Sequence, residues 1–172
     1  MVIGLGRIKK MKSLGKFAKL NKNEQLLRIK LLKYEVDNFG PISMDIVEKF
    51  MREDEYFINT TVEDLMESLI AQSYMRVNKE NKICYIYPIS CEKTDYRVTL
   101  LNGKSFYAMC AIDAMGSVVT FHETVVVESV CRDTKEIIRL TVDKDGIVDA
   151  VPDRNFFVSY YDAFGDVKDF NC

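Results

Sequence analysis

The residues best suited to do chemistry lie in Phe106-Tyr107-Ala108-Met109-Cys110-Ala111-Ile112-Asp113-Ala114-Met115-Gly116. This apolar run is interrupted by one thiol and one carboxylate, three positions apart. As a thiolate, cysteine is a strong nucleophile and a ligand for soft metals. A carboxyl group held away from water keeps its proton to higher pH and becomes a usable acid. The small and apolar residues from Ala108 to Val119 predict a buried short helix, with Cys110 and Asp113 on one face about one turn apart. On residue types alone two further readings stay open, Cys110 as a packed structural thiol and Asp113 as a backbone cap. His122 is the one histidine in the chain and is expected in a loop. A single histidine leaves no room for histidine-rich zinc chemistry, and it forms no Cys–His dyad at a known spacing.

The elements that would position this pair can be read on both sides of it. Upstream, Leu26, Leu27, Ile29, Leu31, Leu32 and Val36 predict a helix from Glu24 to Asn38, ended by Asn38-Phe39-Gly40-Pro41. Ser43 caps a second helix, Met44 to Met51. Thr60 or Thr61 caps a third, whose Val62, Leu65, Met66, Leu69 and Ile70 repeat at helical spacing. Tyr74–Val77 and Ile83–Tyr87, joined by a polar turn, complete three helices and a hairpin, the outline of a winged helix. After Pro88 the pattern becomes extended. Tyr96–Leu100 and Ser105–Tyr107 flank the hairpin signal Asn102-Gly103, and the second of these strands runs directly into Cys110. Further strands are predicted at Val125–Cys131, Glu136–Val142, Val148–Val151 and Phe156–Tyr161, with a turn at Asp145-Gly146. The expected fold class is therefore α+β: an N-terminal winged-helix-like helical unit, then a small mixed, mainly antiparallel sheet domain with a buried short helix. The expected boundaries are a leader at 1–22, a winged-helix-like domain at 23–88 and a second domain at 89–172.

With 172 residues, 48% of them hydrophobic, the chain is long enough to bury a core. Its five cysteines, at 84, 91, 110, 131 and 172, form no Cys-x-x-Cys pair. That count and spacing fit reduced thiols in a cytoplasm better than a secreted disulfide framework. Cys131 reads as core, and Cys84 and Cys91 as strand or turn residues. No stretch of sequence is apolar for long enough to span a membrane, and no signal-peptide core is present. The net charge of −2 conceals an asymmetry. Residues 1–22 carry +7 and the remainder −9, so the leader is a candidate basic amphipathic helix or a solvated start to the chain. The third helix carries Glu63, Asp64 and Glu67 with no lysine or arginine, a charge that repels phosphates and argues against nucleic acid as a partner. Gly4-Leu5-Gly6 lacks the strand-to-helix context of a dinucleotide site, and there is no phosphate-binding glycine loop.

The Tyr-x-x-Cys-Ala-x-Asp segment is followed by Ser129-Val130-Cys131, Ile138-Arg139-Leu140-Thr141-Val142, Val151-Pro152 and Asp166-Val167-Lys168-Asp169-Phe170-Asn171-Cys172. In order and spacing this resembles the organomercurial (alkylmercury) lyase family over about residues 40–172, with Gly40-Pro41-Ile42-Ser43 as a further likeness upstream. Met109 stands where members of that family commonly have tryptophan. The resemblance implies protonolysis of a carbon–mercury bond to give a hydrocarbon and Hg(II). No organic cofactor is implied, and Hg(II) is the bound product. Cys110 corresponds to the first thiol, Asp113 to the proton-handling carboxylate, Cys172 to the second thiol and Cys131 to a structural cysteine. Cys110, Cys172 and Asp113 would be the residues that contact mercury. The implied partners are an organomercury small molecule and, as mercury acceptors, cellular thiols or a mercury-accepting protein. The alternative is a non-catalytic thiol protein that binds or senses a soft metal, with the winged helix as its output unit.

Overall fold

A computed structural model describes residues 2–4, 20–131, 133–152 and 157–159. The basic stretch 5–19 and the expected site residue Cys172 lie outside the described residues.

Helix α1 (Lys22–Asn38) begins where Asn21 accepts from the Glu24 amide while the Glu24 carboxylate accepts from the Asn21 amide at 2.7 Å. This reciprocal cap satisfies two amides that a helix start otherwise leaves open. One face of α1 buries Leu27, Leu31 and Leu32, and the helix ends at Phe39-Gly40, where Gly40 has φ +139°. Helices α2 (Met44–Arg52) and α3 (Val62–Ala71) follow, separated by a 3-10 turn at Glu55–Phe57. Of the two candidate caps for α3 it is Thr61 that accepts, from the Asp64 amide.

Two strands pair at the ends of the described chain, β1 (Val2–Gly4) with β10 (Phe157–Ser159). Between them run β2 (Met75–Val77), β3 (Ile83–Ile86), β4 (Ile89–Ser90), β5 (Arg97–Thr99), β6 (Ser105–Ala108), helix α4 (Ala111–Phe121), β7 (Val125–Val130), β8 (Ile137–Asp143) and β9 (Gly146–Val151). The strands β2 to β9 form one eight-stranded sheet in the order β2-β3-β4-β6-β5-β7-β8-β9, every neighbouring pair antiparallel.

The α+β character expected from the sequence is present, but the sheet is larger than expected and antiparallel throughout. The reason is β4, two residues long and too short to leave a periodic signal. It pairs with β3 on one side and β6 on the other, and so joins the first hairpin to the strands that follow Pro88. An isolated bridge between Ile42 and Ile83 adds the segment before α2 to the same region.

A single apolar cluster fills the space between helices and sheet. It includes Leu27, Leu31, Ile42, Val47 and Leu69 from the helical part and Ile86, Ile89, Val98, Phe106, Ala114 and Val125 from the rest. Each large aliphatic or aromatic side chain buried this way contributes roughly 1.5–3 kcal/mol of transfer free energy.

Candidate functional site

The hairpin β5–β6 exists because Asn102-Gly103 closes it. Gly103 sits at φ +82° and the Leu100 amide donates to the Lys104 carbonyl at 2.9 Å. Val98 and Phe106, opposite each other in register, are both buried and fix which face of the hairpin turns inward. The chain leaves β6 at Ala108 and turns into α4 two residues later. The sequence places this helix from residue 108. It starts at Ala111 instead, because Ala108 is held in the sheet against Ile89, and Cys110, with extended backbone, is the N-cap.

Cys110 therefore sits at the mouth of a helix. Its Sγ accepts from the Asp113 amide at 3.5 Å, a cap in which sulfur takes the place of the usual oxygen. The amides of the first helical turn and the positive end of the helix dipole converge at this point, where a negatively charged sulfur is best accommodated. Asp113, one turn on, is half-buried. Ser117, fully buried on the next turn, donates to the Asp113 carbonyl at 3.0 Å. Ala114, Ser117 and Val118 form the inward stripe that seats α4 on the sheet, and Phe121 packs its ring 5.1 Å from that of Phe106.

The wall facing α4 comes from the first hairpin, and sequence reasoning assigned it no role in the site. Tyr85, on β3, donates from its hydroxyl to Asp113 Oδ2 at 3.3 Å. Tyr87 closes against the helix so tightly that a Cβ on Gly116 would lie 3.0 Å from the Tyr87 oxygen. Arg28 of α1 donates to the Tyr87 carbonyl at 2.6 Å from one guanidinium nitrogen, and its guanidinium lies over the rings of Tyr74 and Tyr87. Arg76 of β2 lies over the ring of Tyr85. The available signal was the spacing Tyr85-x-Tyr87, which in an extended chain puts both rings on one face.

Burial dominates the electrostatics. It pushes the Asp113 carboxyl up to about 6, against the pull of hydrogen bonds from Tyr85 and Cys110 and the positive charge of Arg76. Burial, and then the nearby Asp113, drives the Tyr85 hydroxyl far above the usual tyrosine range, so it stays protonated and donates to the carboxyl. For the same two reasons Tyr87 is pushed up to about 12. The site thus holds a thiol at a helix start, a carboxyl that exchanges its proton near neutral pH, and a permanently protonated hydroxyl touching that carboxyl.

Of the three expected site residues the structure brings Cys110 and Asp113 together, while Cys172 lies outside the described residues. Cys131, expected in the core, is instead half-buried in the turn after β7, where hydrogen bonds from Thr134 and from the backbone of residues 133–134 hold its thiol below the usual range. Cys84 and Cys91 lie on or beside the strands, as expected, and Cys91 is buried. His122 is the left-handed C-cap of α4, with φ +56°. Among the described residues no group of three or more His, Cys, Asp or Glu is placed to hold a metal ion, and no helix is long and apolar enough to cross a membrane.

The family model described as alkylmercury lyase matches residues 89–172, which contain Cys110, Asp113, Cys131 and Cys172. Among solved structures, the mercury-bound form of MerB2 is similar in fold, with a TM-score of 0.57 and 23% sequence identity over 80% of this chain. The chain spans 64% of the length of that protein. No curated protein matches the sequence. Residues 89–172, which carry the half-buried thiol–carboxyl pair, thus match the alkylmercury lyase family.

Proposed function

We propose that the protein cleaves carbon–mercury bonds by protonolysis. The observation that carries this reading is the hydrogen bond between the Cys110 thiol and the Asp113 carboxyl at the start of α4, inside the segment that matches the alkylmercury lyase family. Thiolate is the form of cysteine that binds a soft metal, and the helix start accommodates it. In the proposed reaction Cys110 sulfur bonds to the mercury of R–Hg⁺ and gives up its proton to Asp113. Sulfur donation raises the electron density on the mercury-bound carbon. Asp113 returns the proton to that carbon, the C–Hg bonding pair becomes the C–H bond, and R–H leaves with Hg(II) held on sulfur. Cys172 is the second thiol in this proposal, and small external thiols or a mercury-accepting protein remove the product. General acid catalysis of this kind typically contributes 10²–10⁴-fold.

A winged-helix-like reading of residues 23–88 is supported by three helices followed by the β2–β3 hairpin and by the Ile42–Ile83 bridge. In this proposal the unit walls the site rather than reading nucleic acid. The groove beside α3 is lined by Glu48 and Glu63 with Met44, Val62, Met66 and Ile70, and no basic residue lines it. Reduced thiols suit a cytoplasmic setting, and the basic residues 1–22 are a leader to the unit.

The test is to incubate reduced protein with phenylmercury and excess small thiol in D₂O and to measure benzene. The expected result is release above the thiol-only control, each benzene carrying one deuterium. Mercury retained on the protein with no benzene above that control overturns the lyase reading and leaves a soft-metal-binding protein.

A further inference from the structure

Asp113 faces a hydroxyl contributed from outside the family segment. Tyr85 lies on β3, before residue 89, and reaches α4 because β4 fastens the first hairpin to β6. Its side chain is nearly sealed, with 7% of its surface exposed, and its ring is covered on one side by the Arg76 guanidinium, centred 5.9 Å away. At 3.3 Å the hydroxyl–carboxyl contact is longer than most O–H···O bonds, as catalytic hydrogen bonds commonly are before substrate binds.

We propose that Tyr85 is a positioning residue for the proton-transfer step, its hydroxyl pinning Oδ2 of Asp113 so that the carboxyl presents a single orientation to the Cys110 sulfur and the mercury-bound carbon. The role rests on the reading of Asp113 as the proton carrier, and it assigns part of the site to the N-terminal half of the chain. A tyrosine suits this position better than a charged donor. It stabilises the carboxylate that forms when the proton leaves, yet it does not neutralise the carboxyl with a full positive charge, which would leave too weak an acid–base group near neutral pH. The groups facing Asp113 are Tyr85 and Arg76 from the hairpin, Tyr87 at the hairpin's end and Cys110 on its own helix. The Tyr85 hydrogen bond favours the ionised form of the carboxyl it touches, so losing the hydroxyl makes Asp113 hold its proton to higher pH.

The experiment compares wild type and Tyr85→Phe in two readouts. In the pH profile of single-turnover benzene release, the limb in which Asp113 loses its proton moves to higher pH by up to about one unit in the variant, the size expected for losing one hydrogen bond to a charged group. Carbon-13 NMR of the Asp113 carboxyl shows the same upward displacement without turnover. A Tyr85→Phe protein whose profile and carboxyl titration both superimpose on wild type overturns the proposal. Tyr85 can also be tested without substitution. In wild type the Tyr85 Cζ resonance follows the Asp113 titration with a midpoint near 6, and a resonance that stays flat through that range contradicts the contact. If wild type releases no benzene, the lyase reading fails by itself, and Tyr85 is judged on the NMR titrations.

Discussion

At the scale of single residues, two carboxyls among the described residues, Glu35 and Asp113, hold their protons unusually well, and only Asp113 is at the proposed site. Glu35 of α1 is 1% exposed; its Oε1 accepts from the Gly40 amide at 2.9 Å, while Oε2 has no nitrogen or oxygen donor among the described residues. Burial pushes it up to about 7, opposed by the Gly40 bond and the neighbouring Cys91 thiol. The folded protein therefore holds this proton more tightly than the unfolded chain does. Its stabilising effect is complete below about pH 4.5 and is lost as pH rises through about 7. Thermal or urea unfolding should show stability falling by about 2 kcal/mol between pH 5 and 8 from this group, and Glu35→Gln should flatten that slope. A slope unchanged by the substitution contradicts the burial of a titrating Glu35. At the site, Asp113→Asn removes the carried proton while keeping the shape, and it should lower single-turnover release by 10²–10⁴-fold with mercury binding retained.

At the scale of elements, the sequence displayed most of what carries Cys110 and Asp113. The Asn102-Gly103 turn, the alternation around Val98 and Phe106, and the small apolar run after Met109 announce a hairpin feeding a buried helix. The opposite wall was not visible. β4 is two residues long, and the Tyr85–Asp113 contact joins residues 28 positions apart, which no local period encodes. The packing of that wall on α4 is testable at Gly116. A valine there puts a branched side chain where even a Cβ meets the Tyr87 oxygen at 3.0 Å. Overpacking of this kind costs typically 1–3 kcal/mol. Urea unfolding of Gly116→Val should show a loss of that size, and full wild-type stability would mean that the hairpin does not press on the helix.

At the scale of the whole molecule, one sheet and one apolar cluster run through residue 88 without a break. Ile86 and Ile89, on either side of it, are both fully buried and paired with each other across β3 and β4. The segment matching the lyase family thus begins inside the sheet. Expressed alone, residues 89–172 would leave β4 with an open edge and strip the cover from Ile89, Val98 and Ala114. Circular dichroism and amide NMR of that fragment should show no cooperative fold, whereas the full chain unfolds in one transition; a well-dispersed, stable fragment would contradict a shared core. The acidic α3 and the charge imbalance between residues 1–22 and the remainder were legible from composition alone. The dependence of the site on the N-terminal half was not, because it arises from tertiary pairing.

In the proposed reaction the thiol at the start of α4 captures mercury and makes protonolysis of the carbon–mercury bond possible. Single-turnover benzene release from phenylmercury by wild type and by Cys110→Ser, measured side by side in the same excess of small thiol, addresses it most directly. The expected result is a loss of roughly three orders of magnitude or more in the variant, down to the thiol-only rate. Release by Cys110→Ser at the wild-type rate would contradict it.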